Sequence, residues 1–274
     1  MNPDYIIDLP GIDTQNAELW LYVDLQGLSY IILENNNFML LAVYHFKEES
    51  SGEISAGRVR RIFNEQEILH QPFKKVHIVY GYPASVLVPH EYLNESVYKP
   101  MLELVYGDAT ETMIQVDFMY RHHLHNVYAV PKEIEQAAMR FFPYASQSHL
   151  YSLLPAVITG WGNHLYCIFH SSHLTVMLIK ERKLQFIQGY AYKVPVDVTY
   201  HLLNLCKNFD VDPAEANVHL NGLIDKSSAL YDELHKYFLH LQFGTLPKKY
   251  EYPEQVNNYP EHFFSHLFQV SACV

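Results

Sequence analysis

Two stretches of the chain alternate bulky apolar residues with smaller or polar ones in the same way, and helical spacing follows each. In the first stretch, residues 19–24 (LWLYVD), 30–33 and 38–46 read as three strands. Gly27-Leu28-Ser29 separates the first two. Asn35-Asn36-Asn37 separates the next two, and Asn tolerates the left-handed backbone of a tight turn. Strands this close in sequence pair as an antiparallel meander. A polar loop at 47–53 leads to a helix on which Val59, Ile62 and Phe63 share a face. Residues 76–80 (VHIVY) form a strand that Gly81 and Pro83 end, and 85–88 resume as another. A short helix at 100–105 and strands at 113–120 and 126–130 come next. A helix between Pro131 and Pro143, with Ile134, Ala138 and Phe141 inward, closes this half.

The pattern then begins again. Strands are expected at 164–170, 173–180 and 184–192, with Glu181-Arg182-Lys183 as a turn. A helix from Pro195 puts Val198, Leu202, Leu205 and Cys206 on one face. A short strand at 217–220 ends at Asn221-Gly222. The next helix takes Asp225 or Ser227 as its N-cap and buries Leu230, Leu234, Tyr237, Phe238 and Leu241. A last apolar stretch covers 263–270. Three strands, a helix, a strand and a helix thus occur twice. The first strands end at Asp24 and His170, 146 residues apart, and the lone strands centre on Ile78 and Val218, 140 apart. This predicts an internal duplication with lobes at 1–145 and 146–274.

Composition narrows the function. A chain of 274 residues that is 49% hydrophobic and 18% charged folds around its own core. A formal charge of −11 repels phosphate backbones, which argues against nucleic acid and anionic membranes as partners. Lys47, Arg58, Arg60, Arg61, Lys74 and Lys75, the densest basic residues, read as a solvated helix face and loop. The opening MNPDYIIDLPGID has no basic or long apolar region, and no run approaches the length of a membrane span. Cys167, Cys206 and Cys273 are widely spaced, without a CxxC pair, and reduced thiols suit a cytoplasmic protein.

Three meandering strands, a helix and a returning strand make one half of a ribonuclease-H-like lobe. Two such lobes resemble the class of ATPase folds that holds actin, hexokinase and the heat-shock chaperones. The residues carrying the resemblance are VDLQGLSYIIL at 23–33 and NVHLNGLIDKSSALYDELHKYF at 217–238. The chain is similar to a bacterial family of about this length with that fold, described as a domain of unknown function. It is distantly similar to the actin-like pilus-assembly proteins. The resemblance implies an α/β protein of duplicated ribonuclease-H-like lobes, with mixed sheets and helices packed on them.

The resemblance also implies where a nucleotide would sit. In that class an Asp-x-Gly-Thr/Ser turn wraps the phosphates, a second acidic turn repeats it, and a Gly-Gly turn receives the adenosine. Here the first turn is Asp24-Leu25-Gln26-Gly27-Leu28-Ser29, with Asp and Gly three apart and no Lys or Arg in the next strand. The second is His170-Ser171-Ser172-His173, with no carboxylate and no glycine. Imidazole does not replace a carboxylate around Mg²⁺, which takes oxygen ligands. The third, Leu220-Asn221-Gly222-Leu223-Ile224, has one glycine. Asp24, Gly27, Ser29 and Gly222 would line a site if nucleotide is bound; otherwise they read as a hairpin turn and a strand-to-helix turn. Phosphoryl transfer depends on positioning and charge neutralisation, so the missing carboxylate argues against turnover. The expected protein is a non-catalytic, cytoplasmic scaffold or regulatory protein with a protein partner, no cofactor and no metal. The alternative is a divergent ATPase or sugar-kinase-like enzyme using ATP and Mg²⁺.

Other candidates are weaker. On a strand, His123 and His125 of the Arg121-His122-His123-Leu124-His125 run would share a face at metal-ligand spacing, but the run reads first as a His-rich turn or strand end with no metal. His164, His170 and His173 read the same way, and such residues would titrate near pH 6–7. Glu48-Glu49 and Glu133/Glu135 read as solvated surface. The sequence has no Gly-x-Ser-x-Gly, P-loop, Gly-x-Gly-x-x-Gly or His-Glu-x-x-His motif. The tail at 250–259, followed by Phe263-Phe264, reads either as a contact surface or as a segment docked on its own lobe.

Overall fold

Both meanders form as their alternation demands. The computed structural model describes residues 1–46 and 52–273, so Lys47, the Glu48-Glu49 pair and most of the loop read at 47–53 lie outside them. The chain opens with β1 (Tyr5–Asp8), β2 (Ala17–Val23), β3 (Gly27–Glu34), β4 (Asn37–His45), α1 (Gly52–Glu65) and β5 (Lys75–Tyr80). It continues with β6 (Ser85–Pro89), α2 (Tyr98–Tyr106), β7 (Thr112–Met119), β8 (Leu124–Pro131), α3 (Lys132–Phe141), β9 (Ser146–His149) and α4 (Leu150–Leu153). The second run is β10 (Asn163–Phe169), β11 (His173–Lys180), β12 (Lys183–Ala191), α5 (Pro195–Asn208) and β13 (Asn217–Gly222). Then come α6 (Ala229–His235), β14 (His240–Phe243) and α7 (Ser265–Ala272).

The chain forms two units, Met1–Ser152 with Lys249–Gln255, and Leu153–Lys248 with Val256–Val274. In the first, the sheet order is β1-β4-β3-β2-β5-β9. β9 pairs in parallel with β5, so this sheet runs past residue 145, where the pattern puts the border. Leu19, Leu21, Ile32 and Tyr80 of the sheet bury against Val59, Ile62 and Phe63 of α1 and Ile134 and Ala138 of α3. Each such aliphatic or aromatic side chain contributes about 1.5–3 kcal/mol by leaving water. β6, β8 and β7 form a separate three-stranded sheet that the linear pattern does not separate from the lobe. Leu102 of α2 covers its Val88, Val127 and Ala129.

The second unit has the order β12-β11-β10-β13-β14. Leu165, Cys167, Val176 and Val218 bury against Val198, Leu202 and Cys206 of α5 and Leu234 of α6. Burial raises both thiols, Cys206 to about 11 and Cys167 further, so neither is a thiolate at neutral pH. Among the described residues no helix is long and apolar enough to cross a membrane.

The repeat extends to fine backbone detail. β10, β11 and β12 begin and end 146 residues after β2, β3 and β4. Both meanders shift register at the same place, between Ile32 and Leu33 in one and Leu178 and Ile179 in the other. Both second turns put two central residues in the left-handed region: Asn35 and Asn36 at φ 47° and 72°, Glu181 and Arg182 at 51° and 64°. That is the turn whose twist matches a right-handed hairpin.

The structure corrects three expectations. The N-cap of α6 is Ser228, whose Oγ accepts the Tyr231 N–H at 3.2 Å, while Asp225 accepts from Ser227. Leu241 lies on β14 and Tyr237 is exposed, because the chain leaves the helix after His235 while its apolar residues keep a helix-like spacing. β1, β9 and β14, each of four residues, are too short for the alternation to mark. The tail is docked: Glu251 exchanges backbone hydrogen bonds with Asn36 and Phe38, at 2.9 and 3.0 Å.

Candidate functional site

The residues expected around a nucleotide divide between the units: Asp24, Gly27 and Ser29 belong to the first, Gly222 to the second. Asp24 follows β2 and closes an Asx turn. Its Oδ1 accepts the N–H of Gln26 at 2.6 Å and of Gly27 at 2.9 Å. Its own N–H donates to the Gly27 carbonyl at 3.1 Å. Gly27 is pressed against β4, and a Cβ there would lie 1.9 Å from the Tyr44 carbonyl oxygen. Ser29 sits half-buried on β3 between Tyr22 and Val43. Gly222 has φ +79°, and a Cβ there would lie 2.2 Å from the Phe169 carbonyl oxygen. Asp24, Gly27 and Gly222 therefore have local structural tasks.

The second unit repeats the opening turn with other side chains. His170 N–H donates to the His173 carbonyl at 2.8 Å, as Asp24 does to Gly27. Tyr192 N–H donates to Ser172 at 2.8 Å, as Phe46 does to Gln26 at 2.7 Å. His170 thus stands where Asp24 stands, with the backbone unchanged and the carboxylate gone. The strand-to-helix turn after β13 is anchored by residues that no sequence motif marks. Asn221 is fully buried; its Oδ1 accepts from Ser265 Oγ at 2.7 Å, and its Nδ2 donates to the Cys167 carbonyl at 3.2 Å. His262 Nε2 donates to the Ile224 carbonyl at 2.6 Å.

A polar cluster in the first unit is equally unmarked in the sequence. Tyr128 Oη donates to Gln115 Oε1 at 2.9 Å and lies 3.3 Å from Asp117 Oδ1. Asp117 Oδ2 accepts the His149 N–H at 2.7 Å. Burial raises the Asp117 carboxyl above its usual range, against the hydrogen bonds that lower it. His149 is buried, its Nε2 donating to the Tyr82 carbonyl at 2.8 Å and its Nδ1 accepting from Tyr151 at 3.1 Å. Ser85, Asn126 and Ser152 continue the chain of hydrogen bonds. These residues come from β6, β7, β8, β9 and α4, so no local spacing reveals them.

The His-rich run holds no metal-spaced pair on a strand. His123 is left-handed at φ 52° and precedes β8, so it does not alternate with His125. His125 Nε2 instead meets His90 Nδ1 at 2.8 Å and stacks on Phe118. His164 Nδ1 meets His219 Nε2 at 3.0 Å. Burial lowers His77, His149 and His219 to about 4 and His266 to about 3, out of the pH 6–7 range. Among the described residues no group of three or more His, Cys, Asp or Glu is placed to hold a metal ion. A cavity of about 660 Å³ in the first unit has Leu69, Phe73 and Phe141 beside Lys74, Lys75 and Arg140. Of the other basic residues, Arg61 pairs with Glu65 and Arg58 lies over the Phe46 ring.

With both units and their turns in view, the family follows. Residues 11–241 match the family described as "Protein of unknown function (DUF3822)". The chain belongs to that family. Among curated proteins none matches. Its fold is the actin-like ATPase fold. A Bacteroides thetaiotaomicron protein with that fold and unknown function superposes with TM-score 0.77 at 14% identity, covering 95% of this chain and 99% of the other. A structure of the PilM–PilN type IV pilus biogenesis complex superposes with TM-score 0.63 at 12% identity, covering 94% and 98%. The ethanolamine utilization protein EutJ of Carboxydothermus hydrogenoformans gives TM-score 0.51 at 7% identity, covering 98% and 92%.

Proposed function

We propose that this member of the DUF3822 family is a non-catalytic, cytosolic scaffold that binds a partner protein and does not turn over nucleotide. One observation carries the reading: the two opening turns share their backbone hydrogen bonds, yet His170 replaces the carboxylate that Asp24 supplies. Asp24 itself commits Oδ1 to two backbone N–H groups. A side chain at Gly27 would meet the Tyr44 carbonyl and one at Gly222 the Phe169 carbonyl, so packing within each unit accounts for both glycines. The likeness to PilM–PilN, a two-protein complex, supports the partner. The cytosolic setting is supported by the buried, unoxidised thiols of Cys167 and Cys206.

The test is a thermal titration with ATP and Mg²⁺ at millimolar concentration, alongside phosphate release. A ligand that binds only the folded state raises its stability by mass action. The expected result is an unchanged midpoint and no release above buffer. A raised midpoint with release, both lost in Asp24→Asn, would support the divergent ATPase or sugar-kinase-like enzyme instead. Asn keeps an Oδ1 acceptor for the turn while removing the charge, so loss would not reflect misfolding.

A further inference from the structure

The two meanders differ at one edge. In the first unit β1 lies antiparallel along the outer side of β4, with Tyr5 opposite Val43, Ile6 opposite Ala42, Ile7 opposite Leu41 and Asp8 opposite Leu40. In the second unit β12 ends the sheet, and among the described residues no strand lies along its outer side. The backbone groups facing outward follow from the repeat. Asp4 N–H donates to the Val43 carbonyl and Leu9 N–H to Met39, so 39, 41 and 43 turn toward β1. Moved by 146 residues, these become Gln185, Ile187 and Gly189. An edge of this kind offers a row of donors and acceptors to an incoming strand.

We propose that β12 receives an extended segment of a partner protein in the place that β1 takes on β4. This rests on the partner-binding part of the proposed function and is independent of whether nucleotide is hydrolysed. The first unit supplies the template for the guest's chemistry. An apolar residue stands opposite Ile187, as Ile7 does opposite Leu41. An aromatic residue covers Gly189, as Tyr5 covers Val43. Acids flank the core of the segment. In the first unit Asp4 Oδ2 accepts the N–H of His45 at 2.7 Å, and Ala191 occupies that place in the second. Arg182 and Lys183 stand at one end of β12 beside Glu181, and Lys193 stands past the other end, where Asp197 Oδ2 accepts its N–H at 2.9 Å. The guest copied from β1 is therefore acid–aromatic–apolar–apolar–acid.

The probe is a fluorescein-labelled peptide copying residues 3–9, Pro-Asp-Tyr-Ile-Ile-Asp-Leu. Amide hydrogen exchange of the free protein should show Ile187 and Gly189 exchanging quickly, and Phe186 and Gln188, which face β11, slowly. Added peptide at about 1 mM, the weak limit of specific affinity, should slow Ile187 and Gly189. In Gly189→Pro/Ala191→Pro two outward donors are lost, and affinity should fall roughly tenfold or more. A peptide with both Asp replaced by Lys should bind more weakly. The proposal fails if Ile187 is already protected in the free protein. It also fails if saturating peptide leaves Ile187 and Gly189 unchanged, or if the double variant and the Lys peptide bind as well as the originals. The exchange measurement uses the unaltered protein, so it decides the matter even if a variant does not fold. A negative result here with a flat ATP titration would remove the β12 surface and leave the non-catalytic reading standing.

Discussion

Gly27 and Gly222 are the residues most easily mistaken for a ligand site. Glycines in a phosphate-binding turn admit a ligand, whereas these admit the protein's own backbone at 1.9 and 2.2 Å from where a Cβ would be. Gly27→Ala and Gly222→Ala should each destabilise by about 1–3 kcal/mol through overpacking, with Gly222→Ala also bearing left-handed strain. Urea midpoints should fall for both, with no change in any nucleotide effect. Equal midpoints to the parent would mean the strands part readily at these points. The residue types at the turns are legible in the sequence, because Asp, Gly and His at fixed offsets are visible as such. What each residue touches is not, since Tyr44 and Phe169 approach through strand pairing. The Asp117–Tyr128–His149 cluster is illegible for the same reason.

Among elements, the meanders are legible because alternation and turn residues agree along the chain. β1 is not, although it finishes a sheet. Its four residues have one buried side chain, Ile7, and draw their stability from β4. Deleting residues 1–9 should leave Leu41 and Val43 on an open edge and promote self-association, since a long apolar edge is a template for pairing. Size-exclusion chromatography with light scattering should show larger species for the deletion than for the full chain. A monomeric deletion would show that another part of the chain already shields β4. Helical spacing overruns the end of α6 because Leu230 and Leu234 on the helix, Phe238 in the segment after it and Leu241 on β14 all face one core.

At the scale of the molecule, buried imidazoles set the acid limit of the fold. His77, His149 and His219 lie at about 4 and His266 at about 3, because burial disfavours the cation. In the unfolded chain they titrate near 6.5. Between these values the unfolded state holds more protons, so stability is full above about pH 6.5 and is lost as pH falls toward about 4. Fully buried His149 alone accounts for about 3 kcal/mol across that window. Urea midpoints measured in dilute protein from neutral pH downward should decline steadily, and a flat profile would contradict the buried neutral state.

The close contact between Gly27 and Tyr44 has a directional consequence. The two opening turns carry the same backbone hydrogen bonds at corresponding residues, so they are spare parts for one another. Only one transplant avoids a steric clash. Asp-Leu-Gln-Gly can be set at 170–173, since glycine fits wherever histidine fits. His-Ser-Ser-His cannot be set at 24–27 without driving a side chain into the Tyr44 carbonyl. Change can therefore pass from the first turn to the second but not back. The acidic turn is held in place by the Asp24 hydrogen bonds and by the space the Tyr44 carbonyl leaves at Gly27, whether or not a ligand ever reaches it.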